Sequence, residues 1–222
     1  MLQSPSFRAG LRDSILILFA VGGFGLAYGV LAVSAGFSPW LATFSSIIIV
    51  SGAAQFTMIG LLSAGTVPVL IAVTGLGLRH LPMSASLANM IGPQPLRRRL
   101  RLAWILVDET FGLTVRAVGT GVEDVVAYKS AADLMLYTGW ITGTAIGAWF
   151  GGAIDPEAIG IGVLFSLLFL GLAAPMIRSR RDWVVAGAAV VASVLAIRLV
   201  PAAWQITVAA VAASLAGMVL DE

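Results

Sequence analysis

Hydrophobic positions in this chain fall into long, nearly uninterrupted runs. They do not show the half-apolar periodicity of a soluble helix or strand. A helix needs about 20 mostly apolar residues to cross ~30 Å of hydrocarbon. Eight runs approach that length: residues 14–34, 41–62, 67–90, 102–122, 131–152, 158–177, 183–200 and 203–220. Short polar or Gly/Pro-rich stretches separate them, and Trp40, Trp183 and Trp204 stand at run ends as interfacial aromatics do. The run 183–200 is short for a crossing, and Pro201 divides it from 203–220, so these two predict a tilted hairpin. The pattern predicts an all-α, polytopic membrane bundle of about seven to eight spans. Residues 1–222 would form a single transmembrane domain in the lipid bilayer.

Composition agrees with that reading. Of 222 residues, 59% are hydrophobic and 11% charged, with a mean hydropathy of +0.99; soluble domains carry about a quarter charged residues. A net charge of +2 is too small to imply nucleic acid as a partner. Cysteine is absent and histidine occurs once, at His80, so the sequence offers no disulfide, no thiolate or histidine metal site, and no cofactor motif. A lone histidine is read as a packing residue rather than a proton relay. Arg8 and Arg12 precede the run 14–34, which exceeds the ~7–15 residues of a signal-peptide core and is read as a retained span.

Arginine placement creates a parity problem. Arg8 with Arg12, the cluster Arg97, Arg98, Arg99 and Arg101, and the cluster Arg178, Arg180 and Arg181 would each favour the cytoplasm. Three candidate spans separate each cluster from the next, so the three clusters do not all fall on one side. Either one segment in each trio fails to cross, or the trios (14–90 and 102–177, followed by the hairpin 183–220) are inverted repeats with broken helices. Phe24-Gly25-Leu26 recurs as Phe111-Gly112-Leu113, 87 positions later, and the same offset aligns Gly52 with Gly139 and Gly60 with Gly147. Inverted repeats of odd span number are a frequent transporter plan, with binding where helices are interrupted.

The chemistry-bearing residues lie inside apolar runs. Asp108 and Glu109 are adjacent carboxylates in 102–122, and an intramembrane charge persists where it meets a partner or a wet pathway. Arg116 lies two turns beyond Glu109 on the same helical face. Arg79, within 67–90, requires an anion: Asp108, Glu109 or a substrate carboxylate. Pro82, just beyond it, predicts a kink. Gln55, in 41–62, either joins helices or lines a substrate cavity. Gly23, Phe24 and Gly25 form either a broken helix whose freed amides hold a carboxylate or a close-packing face. Gly139, Gly143, Gly147 and Gly151 recur every four residues and predict a smooth packing stripe.

Gly-Phe-Gly at 23–25, Ser-Gly-Ala-Ala-Gln-Phe at 51–56, Arg-His-Leu-Pro-Met-Ser at 79–84 and Asp-Glu-Thr-Phe at 108–111 form an ordered set. Over roughly residues 8–220 that set resembles the AzlC family, the large subunits of branched-chain amino-acid exporters. The chain departs from the family pattern at Gly22 and Gly23, where a proline-containing Pro-Phe-Gly is expected, and at His80. The resemblance implies a multi-pass protein of the inner (cell) membrane that exports hydrophobic amino acids. It also implies a proton gradient as the driving force and a small AzlD-type membrane subunit as partner. A zwitterion would set its carboxylate near Arg79 or the 22–25 glycines and its ammonium near Asp108 or Glu109.

Two other classes compete with export. In a non-transporting membrane scaffold, the buried charges would only specify helix pairing. An intramembrane enzyme would need a nucleophile with its base, two aspartates from different helices, or a metal; Asp108 and Glu109 are read as neighbours on one helix, cysteine is absent and one histidine does not anchor a metal, so an enzyme is not expected.

Overall fold

The computed structural model describes residues 4–151, 170, 177 and 179–220. Every regular element among them is helical: α1 (Pro5–Asp13), α2 (Ile15–Ser34), α3 (Pro39–Ile48), α4 (Gly52–Gly60), α5 (Thr66–Gly77), α6 (His80–Ile91), α7 (Leu96–Trp104), α8 (Asp108–Gly119), α9 (Val125–Phe150), α10 (Arg180–Leu199) and α11 (Ala202–Leu220), with a 3-10 turn at Leu62–Ala64. Ile15–Ser34, Thr66–Ile91 and Arg180–Leu199 are long and apolar enough to cross a membrane. The helical membrane bundle expected from the sequence is therefore present. The run 158–177 lies almost wholly outside the described residues, as does Arg178.

The chain divides into two compact units, Met1–Gln55 with Leu78–Ile154, and Phe56–Gly77 with Asp155–Glu222. The first is built on α2 and α9. A methyl group at Gly139 would come within 2.5 Å of the Leu18 carbonyl oxygen, and methyls at Gly143, Gly147 and Gly151 would strike Gly22, Leu26 and Val30 in turn. Both helices advance in the same sense along this register, so α2 and α9 are parallel neighbours. The stripe that the spacing predicts is the seam between them. Gly25 and Gly29 complete it from α2, against the Trp140 and Thr144 carbonyls. Such close approach gives dense van der Waals contact where lipid supplies no hydrophobic drive between helices. The helix α2 continues unbroken through residues 22–25, so the broken-helix reading of these glycines gives way to the packing one.

Interruptions fall elsewhere. The run 41–62 is split at residues 49–51 between α3 and α4, where Ile47, Ile48, Ile49 and Val50 place four β-branched side chains ahead of Ser51 and Gly52. The run 67–90 is interrupted at 78–79, and Pro82 sits in the first turn of the restarted helix α6, where its missing N–H does no harm. The run 102–122 is split at 105–107. At 12 residues, or about 18 Å, α8 is too short to cross unaided.

In the second unit, α10 and α11 pack together on either side of Pro201, with Gln205 Nε2 donating to the Val200 carbonyl at 3.0 Å. The helix α5 lies on α11, where Gly75 leaves room for Thr207.

Candidate functional site

The site forms around the break at residues 105–107. Pro95 precedes α7, which carries Arg97, Arg98, Arg99 and Arg101 beside an exposed stripe of Leu96, Leu100 and Trp104. This is the pattern of a helix at a lipid–water boundary. Its last turn ends at Ile105, and Val107 is fully extended (φ −131, ψ 159) before Asp108 starts α8. Leu102, Leu106 and Val107 are buried and anchor the break in the interior. Asp108 and Glu109 occupy the first turn of α8, where negative charge offsets the helix dipole.

On one side of the break, the Ile105 carbonyl accepts from Lys129 Nζ at 3.1 Å, and the same ammonium contacts both Asp133 carboxylate oxygens at 2.7 Å. Lys129 is 0% exposed and Asp133 4%. Three acceptors meet an ammonium with three N–H groups, so the buried cation is fully engaged. Counted along the 26 residues of α9, Asp133 lies about 7 Å from the helix midpoint. Thr110, on α8, is fully buried with its hydroxyl beside Asp133.

On the other side, Arg79 at the start of α6 pairs with Asp108, Nη1 to Oδ2 at 3.2 Å, with 37% and 53% of the two side chains exposed. The Arg79 Nε is buried without a partner among the described residues. Glu109 is half-buried and takes no ion pair among the described residues. Arg116 is exposed in the last turn of α8, where it complements the helix C-terminus, and does not join either carboxylate.

Beside Asp133 lies a cavity of about 240 Å³, bounded by Phe7, Arg101, Ile105, Ser130, Leu134 and Tyr137. Arg101 Nη2 donates to Ser130 Oγ at 3.1 Å, and Tyr137 Oη donates to the Ile47 carbonyl at the end of α3 at 2.8 Å. The cavity thus holds one guanidinium, one carboxylate and an apolar wall. Because Phe7 and Arg101 share it, Arg101 lies at the α1 end of the α2–α9 pair, the end that carries Arg8 and Arg12.

Gln55 is fully buried and satisfied. Its Nε2 donates to Ser45 and Ser46 hydroxyls at 3.1 Å each, and its Oε1 accepts from Trp140 Nε1 at 2.7 Å. Tyr28 stacks on Trp140 with ring centroids 6.1 Å apart and shares a 2.8 Å hydrogen bond with Ser45. Of its two sequence readings, Gln55 shows the helix-joining one. Gly23 faces open space, Phe24 is half-buried, and Gly25 belongs to the seam.

Of the residues singled out in the sequence, Arg79 and Asp108 meet, with Glu109 beside them. Sequence reasoning missed Lys129 and Asp133 because they straddle the start of the run 131–152. Their signal was an opposite-charge pair four residues apart on a helix that is otherwise apolar. It also missed Arg101, which counted only as a topological charge.

The AzlC protein family model matches residues 16–154, which include all three helix breaks and the seam. The chain belongs to the AzlC protein family. It is 30% identical over 181 residues to a membrane protein of Archaeoglobus fulgidus, covering 80% of this chain and 79% of that one. It is also 30% identical over 156 residues to the inner membrane protein YgaZ of Escherichia coli, covering 68% and 63% of the two chains. A membrane protein of Helicobacter pylori is 27% identical over 169 residues, or 75% and 74%. No solved structure matches the chain. The family consists of membrane proteins linked to amino-acid transport, and this chain is a membrane protein of that kind.

Proposed function

We propose that this chain is the large subunit of a proton-coupled exporter of branched-chain or similar neutral amino acids. It would be multi-pass in the inner membrane and work with a small AzlD-like membrane subunit. The observation that carries this reading is the cavity beside the broken helix, in which Arg101 and Asp133 face an apolar wall of Phe7 and Leu134. Its volume of about 240 Å³ lies just under the ~300–1,000 Å³ of drug-sized sites and suits one small zwitterion. Arg101 would take the carboxylate, Asp133 the ammonium, and Phe7 with Leu134 the aliphatic side chain. Arg79, Asp108 and Glu109 are assigned to a proton pathway on the α8 side of the break. Gln55, Gly25 and the seam hold the frame.

A scaffold whose charges only set helix pairing accounts for the Gln55 network and the Arg79–Asp108 pair. It leaves no role for a cavity with both charges in its wall. The test is efflux of labelled leucine from vesicles holding the chain and its small partner, under an imposed pH gradient. Gradient-dependent efflux that Arg101→Gln abolishes supports the proposal; efflux indifferent to gradient and variant overturns it.

A further inference from the structure

Lys129 places an ammonium on Asp133, a carboxylate that also lines the cavity. A substrate amino group reaching Asp133 from the cavity would need the same oxygens. Both are primary ammonium ions that donate to a carboxylate, and one carboxylate inside a low-dielectric bundle compensates one such cation, not two.

We propose that Lys129 is a tethered stand-in for the substrate's ammonium, and that the incoming amino acid displaces it from Asp133 with release of one proton. The exchange balances: R–NH3+ takes the place of Lys129–NH3+ on Asp133, Lys129 is left as the neutral amine, and the proton passes to bulk water. Binding of substrate and protonation of Lys129 then exclude one another, which is the requirement for antiport. This inference rests on the export reading and supplies its coupling step.

The surroundings permit the exchange. The Ile105 carbonyl, set free by the break, also accepts from an amine N–H, more weakly than from an ammonium, so neutral Lys129 keeps a partner. Charged groups on the elements around α9 include Arg8 on α1, Arg79 paired with Asp108, Arg97, Arg98 and Arg99 on α7, and Arg116 on α8. Arg101 of α7 bonds to Ser130, Glu109 is half-buried on α8, and His80 opens α6. Asp13 of α1 is engaged by Tyr128 and Arg12, while α2 and α3 offer only the Tyr28 phenol. None of these carboxylates sits on Lys129 in place of Asp133.

The experiment titrates L-leucine into the full chain in lipid nanodiscs and counts protons released in weak buffer. One proton per leucine is expected, with affinity rising about tenfold per pH unit. The analogue 4-methylpentanoate, which is leucine without its amino group, should release none. Lys129→Met with Asp133→Asn, which removes both partners of the exchange, should release no proton on exposure to leucine. Leucine binding without proton release, or an equal release by 4-methylpentanoate, overturns the inference and leaves the export reading standing. Absence of binding by any neutral amino acid overturns both. Because the wild-type count and the analogue need no variant, failure of the double variant to fold leaves the test intact.

Discussion

The α2–α9 seam and the break at 105–107 are both built against α9, and they do opposite things with it. Along the seam, Gly139, Gly143, Gly147 and Gly151 bring two backbones together with nothing polar between them. On a different face, Tyr137 and Lys129 reach out to the Ile47 and Ile105 carbonyls, the last turns of α3 and α7. Tyr137 and Gly139 are two residues apart, about 200° around the helix. One unbroken helix therefore supports a rigid contact on one side and satisfies two interrupted helices on the other. In lipid, a free carbonyl at a helix end costs several kcal/mol, so the donor that α9 brings stabilises each of these two breaks. Small residues give close fit, and long polar residues at four-residue spacing give tolerance for a gap.

The comparison can be broken most forcefully at the buried pair. Replacing Lys129 by Met strands the Asp133 carboxylate, for an expected loss of about 3–5 kcal/mol. Lys129→Met with Asp133→Asn should recover most of it. Urea or thermal unfolding of single and double variants in detergent measures the difference, and a double-variant loss equal to the sum of the single losses would show that the two residues act separately. Next is the seam: Gly143→Ala drives a methyl into the Gly22 backbone and should cost about 1–3 kcal/mol. The matched change Gly23→Ala, on the same helix α2 but facing open space, should stabilise by about 0.5–1 kcal/mol. A seam that tolerates Gly143→Ala as readily as Gly23→Ala would not be a close contact. The smallest effect on stability is expected at Asp108→Asn, within about 1 kcal/mol because the pair with Arg79 is half exposed. Yet in vesicles the same variant should abolish gradient-driven efflux. Unchanged efflux would remove Asp108 from the proton pathway.

Much of this was legible from residue order. The four-residue glycine period of α9 needs no partner to be read as a packing face, and it found one. Arg79 and Asp108 stood out because a charge in an apolar run demands an opposite charge. The glycines at 22–25 misled because glycine both loosens a helix and lets another approach; which effect wins depends on the neighbour, here the Trp140 carbonyl against Gly25. The break at 49–51 was hidden because four β-branched residues raise hydropathy while lowering helix preference. Lys129 escaped notice because hydropathy runs trim charges from their ends, and Asp133, inside the run 131–152, was then left without the partner that marks it. Their importance rests on a carbonyl 24 positions earlier in the chain, which no local pattern reveals.

Substrate protection at the cavity wall tests the central claim most directly. The chain has no cysteine, so Leu134→Cys, at the cavity, and Thr120→Cys, at the exposed end of α8, give clean single-thiol variants. Saturating leucine is expected to slow thiol modification at position 134 and leave position 120 unchanged. Equal modification at position 134 with and without leucine would contradict an amino-acid site beside Asp133.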